Sequence, residues 1–205
     1  MDNQAYLNQI SASNRPAKKS KLAGILSSKF FLVGVIFLVV LILIMVVGSA
    51  LTGGKTSSKD TIFSLILHTN NTSEVIEEYQ PKVKSSDLRS YSASLNSVLS
   101  DINNKLTDFA VAKYNFKEKE VKKDITEKES AAKDALESDL FEAKINGILD
   151  RVYAHKMAYE ISSIMTSEAQ IIKSIKDEDM TDSLNKSYSS LQTLYDKFND
   201  FSETK

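Results

Sequence analysis

The chain has 205 residues, 42% of them hydrophobic and 26% charged, with a formal net charge of −1. That length suits one domain plus an appendage, and the near-neutral balance excludes a strongly basic polyanion binder. There is no cysteine, which excludes disulfides, lipobox lipidation and thiolate metal sites, so the folded part must be held by packing alone.

Residues 1–29 are polar, rich in Ser, Asn and Lys, and read as a disordered cytoplasmic tail. They carry Arg15, Lys18, Lys19, Lys21 and Lys29 against one acid, Asp2. This basic cluster suits the surface of an anionic bilayer, and its role is read as topological. From Phe30 to Val47 there follow 18 residues without a polar side chain, and Gly48, Ser49, Ala50 and Leu51 extend the run. A helix over 30–51 would rise ~33 Å, enough to cross a hydrocarbon core of ~30 Å. The flanking charge places the N-terminus inside and residues 52–205 outside the plasma membrane. Because residues 1–29 carry +4, the remainder carries −5. Gly48-Ser49-Ala50 has the small-residue look of a leader cleavage site. The apolar run is longer than the 7–15 residues usual for a leader core, however, so an uncleaved signal anchor is the favoured reading.

Residues 52–58 (Thr-Gly-Gly-Lys-Thr-Ser-Ser) read as a flexible linker, and 59–205 as an extracytoplasmic helical bundle. The first helix is expected from Lys59 to about Tyr79, with Ile62, Phe63, Ile66 and Leu67 on one face. The polar stretch Thr69–Ser73 is a candidate interruption, and Pro81 is the terminator. A second helix, capped by Ser85 or Ser86, carries the stripe Leu88, Tyr91, Leu95, Val98, Ile102 and Phe109, flanked by Leu99 and Leu106. Residues 117–133 are dominated by charge and read as an exposed helical extension or a turn region. Val121 and Ile125 alone are too little for a coiled-coil arm. A third helical region runs from about Ser130 to Lys176, with Asn146-Gly147 as the expected kink or break. Asp177–Asp179 reads as a turn, before a last helix over Met180–Phe201 bearing Leu184, Tyr188, Leu191, Tyr195, Phe198 and Phe201. No stretch alternates like a strand. The expected class is therefore all-α: one transmembrane helix followed by an antiparallel bundle of about four long helices.

The search for chemistry returns little. The chain has two histidines, His68 and His155, and neither has Glu three positions before it, which argues against a ferritin-like di-metal site. No phosphate loop, dinucleotide fingerprint or nucleophile elbow is present. The expectation is therefore a non-enzyme with no catalytic, cofactor-binding or metal residues and no cofactor. The acidic outer segment gives no footprint for nucleic acid. Sequons begin at Asn70, Asn71 and Asn185 and are read as chance matches. One constellation stands out: Asp150, Arg151, Tyr153, His155, Tyr159 and Glu160. Helical spacing puts Asp150 on the packed face, where a carboxylate needs a partner such as Arg89, Arg151 or a tyrosine hydroxyl. Asp150, Arg151 and His155 are the candidate buried polar or ligand positions, and Glu168 lies near the same stripe.

The run Ala143-Lys-Ile-Asn-Gly-Ile-Leu-Asp-Arg-Val-Tyr-Ala154, with Met157-Ala-Tyr-Glu-Ile161 after it, resembles a stretch in uncharacterised single-span envelope proteins of bacteria with a helical extracytoplasmic domain. The resemblance covers the last ~70 residues and carries no catalytic motif. It implies a bacterial surface setting. The expected partners are the lipid bilayer and a protein of unspecified identity. The expected role is structural or protein–protein contact, with an extracytoplasmic ligand-binding or sensor bundle as the alternative.

Overall fold

The computed structural model describes residues 57–201, apart from the side chain of Glu120. The 30–51 span, the basic cluster Arg15, Lys18, Lys19, Lys21 and Lys29, and most of the 52–58 linker lie outside the described residues. Among the described residues no helix is long and apolar enough to cross a membrane.

Among the described residues there are five helices: α1 (Ser58–Tyr79), α2 (Ser86–Tyr114), α3 (Lys123–Ile145), α4 (Leu149–Ser174) and α5 (Glu178–Asn199). Short 3-10 turns at Gln80–Lys82 and Glu118–Glu120 follow α1 and α2. The described residues are all-helical, as expected, and form five helices where a bundle of about four was expected.

The boundaries have local causes. Ser57 caps α1 by accepting from the Asp60 N–H, and Ser85 caps α2 by accepting from the Leu88 N–H. Asp177 does the same for α5 through the Met180 N–H. Each satisfies an end donor that the helix itself cannot. The polar stretch Thr69–Ser73 does not interrupt α1. The Thr69 hydroxyl donates to the Leu65 and Ile66 carbonyls, and the Thr72 hydroxyl to the His68 carbonyl. Both threonines are thus buried with their polar groups satisfied by their own helix. The charged stretch 117–133 divides into the turn at 118–120 and the first half of α3, with Val121 and Ile125 half-buried. The expected third helix breaks at Asn146-Gly147. Gly147 adopts a φ of +71°, a left-handed conformation that ends helices and favours glycine, and the chain reverses there.

Side-chain pairs give the directions. Asn103 of α2 reaches the Ile66 carbonyl of α1, while Asn96 reaches Glu77, so α1 and α2 run antiparallel. Phe198 near the end of α5 stacks edge-on with Tyr91 and Tyr153 near the starts of α2 and α4. At one end Asp150 of α4 meets Lys84 and Ser85, and further along Glu160 meets His68. Helices α1, α2, α5 and α4 therefore form a closed ring in which each neighbour is antiparallel. Helix α3 lies outside that ring, on the seam between α1 and α4. It runs parallel to α1, as the Asp60–Lys122, Glu74–Lys133 and Tyr79–Glu137 contacts show.

The ring's core takes seven-residue patterns from its helices. In α2 the buried set is Leu88, Ser92, Leu95, Leu99, Ile102, Leu106 and Ala110, with Tyr91, Val98 and Phe109 only partly covered. The stripe is thus rotated from the expected one. Ser92 and Ala110 occupy the buried line because small side chains admit a close neighbour: the Tyr153 hydroxyl donates to Ser92 Oγ at 2.9 Å. In α5 the line is Met180, Leu184, Ser187, Leu191, Leu194 and Phe198, and Tyr188 faces outward. Helix α3 buries only Glu129, Leu136, Leu140 and Ala143.

A methyl group added at Gly147 would meet nothing within 4 Å, so its substitution tests backbone conformation alone. Gly147→Ala is expected to lower unfolding free energy by about 1–2 kcal/mol through the left-handed backbone, measured by urea denaturation. An unchanged midpoint would show that the α3–α4 turn does not need glycine.

Candidate functional site

The sequence-predicted constellation does not assemble. Asp150 is half-buried, and its partners are backbone amides: Oδ1 accepts from the Lys84 N–H at 2.9 Å and Oδ2 from the Ser85 N–H at 2.7 Å. It therefore joins the first turn of α4 to the start of α2, where a negative charge also suits the helix dipole. Arg89, one expected partner, instead donates through Nη1 to the Val83 and Lys84 carbonyls. Arg151 and His155 are exposed, as is Tyr159. Tyr153 is fully buried, and burial pushes its hydroxyl up to about 12 against the opposing bond to Ser92.

The polar centre lies elsewhere, around His68. This histidine sits on α1, on the side facing both α3 and α4. Its Nδ1 is hydrogen-bonded to Glu129 Oε2 on α3 at 3.1 Å, and its Nε2 is 3.0 Å from Glu160 Oε2 on α4, an ion-pair contact without hydrogen-bond alignment. Glu129 also accepts from Ser64 Oγ at 2.5 Å, and its backbone carbonyl accepts from Asn71 Nδ2 at 3.2 Å. Ser64, His68 and Asn71 are spaced by four and three, one line along α1, and all three reach the same residue of α3. Glu160, alone of the expected constellation, belongs to this centre.

Electrostatics fixes the protonation states. Burial lowers the affinity of His68 for a proton, but the bonds and charges of Glu129 and Glu160 outweigh it and hold the imidazole up at about 9. Burial likewise opposes ionisation of Glu129, while His68 and Ser64 outweigh it and keep its carboxyl below the usual range. At neutral pH the centre is an imidazolium between two carboxylates.

That state limits the chemistry. An imidazolium has no lone pair for proton abstraction or metal ligation. The two carboxylates meet opposite ring nitrogens, so the three groups do not converge on one point. Among the described residues no cluster of His, Asp and Glu is arranged to hold a metal ion. The crevice beside His68, bordered by Asn71, Thr72 and Lys133, is about 10 Å³, at the lower limit for one water. What the arrangement does is join three helices by charge-assisted contacts.

A second buried acid, Glu168 of α4, is fully covered. It does not have the cationic partner expected of a register-fixing acid. Burial raises its carboxyl to about 7, with the Ser187 hydroxyl of α5 opposing.

The His68 centre gives a pH signature. Its proton affinity is higher folded than unfolded, so its contribution is complete below about pH 6.5 and is lost as pH rises through about 9. The shift corresponds to at most about 3 kcal/mol. Denaturant stability of the full chain is expected to fall between pH 7 and 9.5. His68→Gln should be less stable at pH 7 and should lack that slope; an identical slope in the variant would remove His68 from the account.

No protein-family model matches the chain, and no curated protein or solved structure matches it.

Proposed function

We propose that this chain is a membrane-anchored, non-enzymatic helical bundle that makes protein contacts at the outer face of the cytoplasmic membrane. The anchor is the apolar stretch 30–51, held with its N-terminus inside by Arg15, Lys18, Lys19, Lys21 and Lys29. The observation that carries the contact role is on α3. Phe141 is 56% exposed and Ile145 69% exposed, and they are four residues apart, so they share one helix face. The opposite face of α3 places Glu129 against α1. A helix that turns a carboxylate inward and two large apolar side chains outward has the distribution of a contact surface.

The alternative, an extracytoplasmic ligand-binding bundle, is favoured by one feature. An open groove of about 820 Å³ lies beside Asp150, bordered by Lys84, Asp87, Tyr91, Lys197 and Phe201. Its polar groups are partly committed, since Asp150 is bonded to backbone amides. A rise in melting temperature with low-molecular-mass envelope extract, abolished by Tyr91→Ala, would favour this reading over the first.

Two outcomes test the proposal. Protease added to intact cells should remove the chain beyond residue 52; full protection would contradict the orientation. In-cell photo-cross-linking from α3 should capture a discrete protein adduct, lost in Phe141→Ser/Ile145→Ser. That variant should change stability by no more than about 0.5 kcal/mol per site, as for exposed positions generally. An unaltered adduct would remove the α3 face from the contact.

A further inference from the structure

Glu168 differs from every other buried ionisable side chain described. It is on α4, 0% exposed, and both of its carboxyl oxygens lack a well-formed hydrogen bond. The polar group nearest to it is the hydroxyl of Ser187, a buried residue of α5 whose Oγ likewise has no well-formed hydrogen bond, yet which lies close enough to oppose the effect of burial on the carboxyl. Two polar groups therefore meet across the α4–α5 seam, inside a line of buried apolar side chains that includes Ile164, Ile171, Leu184 and Leu191.

The surrounding elements supply no counter-charge. Helix α1 brings His68, which is engaged by Glu129 and Glu160. Helix α3 brings Glu129 itself, bound to Ser64 and His68. The buried positions described for α2 and α5 include no acid or base, and on α4 the buried Tyr153 is bonded to Ser92. Burial and the Ser187 hydroxyl are the two influences on the Glu168 carboxyl. A buried carboxylate without a cation or a set of donors is strongly disfavoured, so the seated seam holds the neutral acid.

We propose that Glu168 and Ser187 form a proton-operated latch: the protonated acid lets α5 seat against α4, and loss of that proton loosens α5 from the bundle. The Ser187 hydroxyl can offer the carboxylate a single bond, which opposes burial without offsetting it, so the carboxylate must either stay in apolar surroundings or reach water. Reaching water requires the seam to open. Opening exposes the apolar line of α5, including Leu184, Leu191, Leu194 and Phe198, and so makes a contact surface that the closed bundle hides. The latch is independent of the proposed role of the α3 face.

The sign follows from linkage. The seated acid titrates at about 7, against 4.5 for a free glutamate. The closed seam therefore holds more protons than the open one between these values, and opening becomes easier as pH rises. Between pH 6 and 8 the open population should rise roughly tenfold.

The test uses the full chain in detergent micelles. Carbonyl NMR of ¹³C-labelled glutamate, assigned with Glu168→Gln, reads the Glu168 carboxyl directly. A midpoint near neutrality, moved upward by Ser187→Ala, is expected. A midpoint in the ordinary glutamate range overturns the proposal. Amide exchange over Leu184–Leu191, corrected for intrinsic base catalysis, should accelerate about tenfold from pH 6 to 8. That acceleration should vanish in Glu168→Gln, which stays neutral. Equal acceleration in wild type and Glu168→Gln, or none in wild type, also overturns it. If Glu168→Gln folds poorly, Ser187→Ala, which keeps Glu168, identifies the same resonance by its upward shift.

Discussion

Helix α3 buries three apolar side chains, Leu136, Leu140 and Ala143, and its place on the bundle depends on the polar contact made by its first half. The His68 imidazolium, with Glu129 on one ring nitrogen and Glu160 on the other, is where α1, α3 and α4 meet. Hydrophobic burial, at about 25 cal/mol per Å², anchors only the second half of this 23-residue helix, where Leu136, Leu140 and Ala143 lie. Charge-assisted bonds supply position and orientation in the first half. Buried charges of this kind gain little over a well-packed apolar substitute, yet removing one partner leaves the others stranded. The centre is therefore better understood as a device that sets where α3 lies than as a source of net stability.

This division explains why one fold has two kinds of surface. The ring of α1, α2, α5 and α4 closes on its own apolar lines, as a cysteine-free domain must. Helix α3 is apolar on both sides, with Leu136, Leu140 and Ala143 inward beside Glu129 and with Phe141 and Ile145 outward. An exposed pair of this size has no role in the ring, which gives a protein-contact reading its physical basis. The absence of a convergent acid–base pair at His68 follows from the same geometry. The protonation that lets the histidine bridge two carboxylates removes the lone pair that chemistry would need.

Much of the fold was legible in the sequence because helical periodicity and caps are local. Ser85 as a cap, Pro81 as a terminator and Asn146-Gly147 as a break all act within a few residues, and each is found where the local rules place it. The rotation of the α2 stripe was not legible, because Ser92 is buried by virtue of Tyr153, 61 positions away. The same holds for the polar centre. Glu129 lies in a run of lysines and glutamates that reads as solvated surface, and only the parallel register of α3 against α1 brings it to His68. Asp150 shows the reverse error. Helical phase placed it on a packed face, but the nearest available donors were backbone amides at the start of α2, which no pattern of side chains reveals.

The His68 centre positions the first half of α3 on a ring that is otherwise self-sufficient. Hydrogen exchange with mass spectrometry on the full chain, in wild type and in Glu129→Gln, tests it most directly. Peptides covering 123–145 should exchange faster than those of α2 and α5 in wild type. Glu129→Gln should accelerate α3 selectively while leaving the ring protected. Protection of α3 equal to that of the ring, or a uniform acceleration of all five helices in the variant, would contradict it.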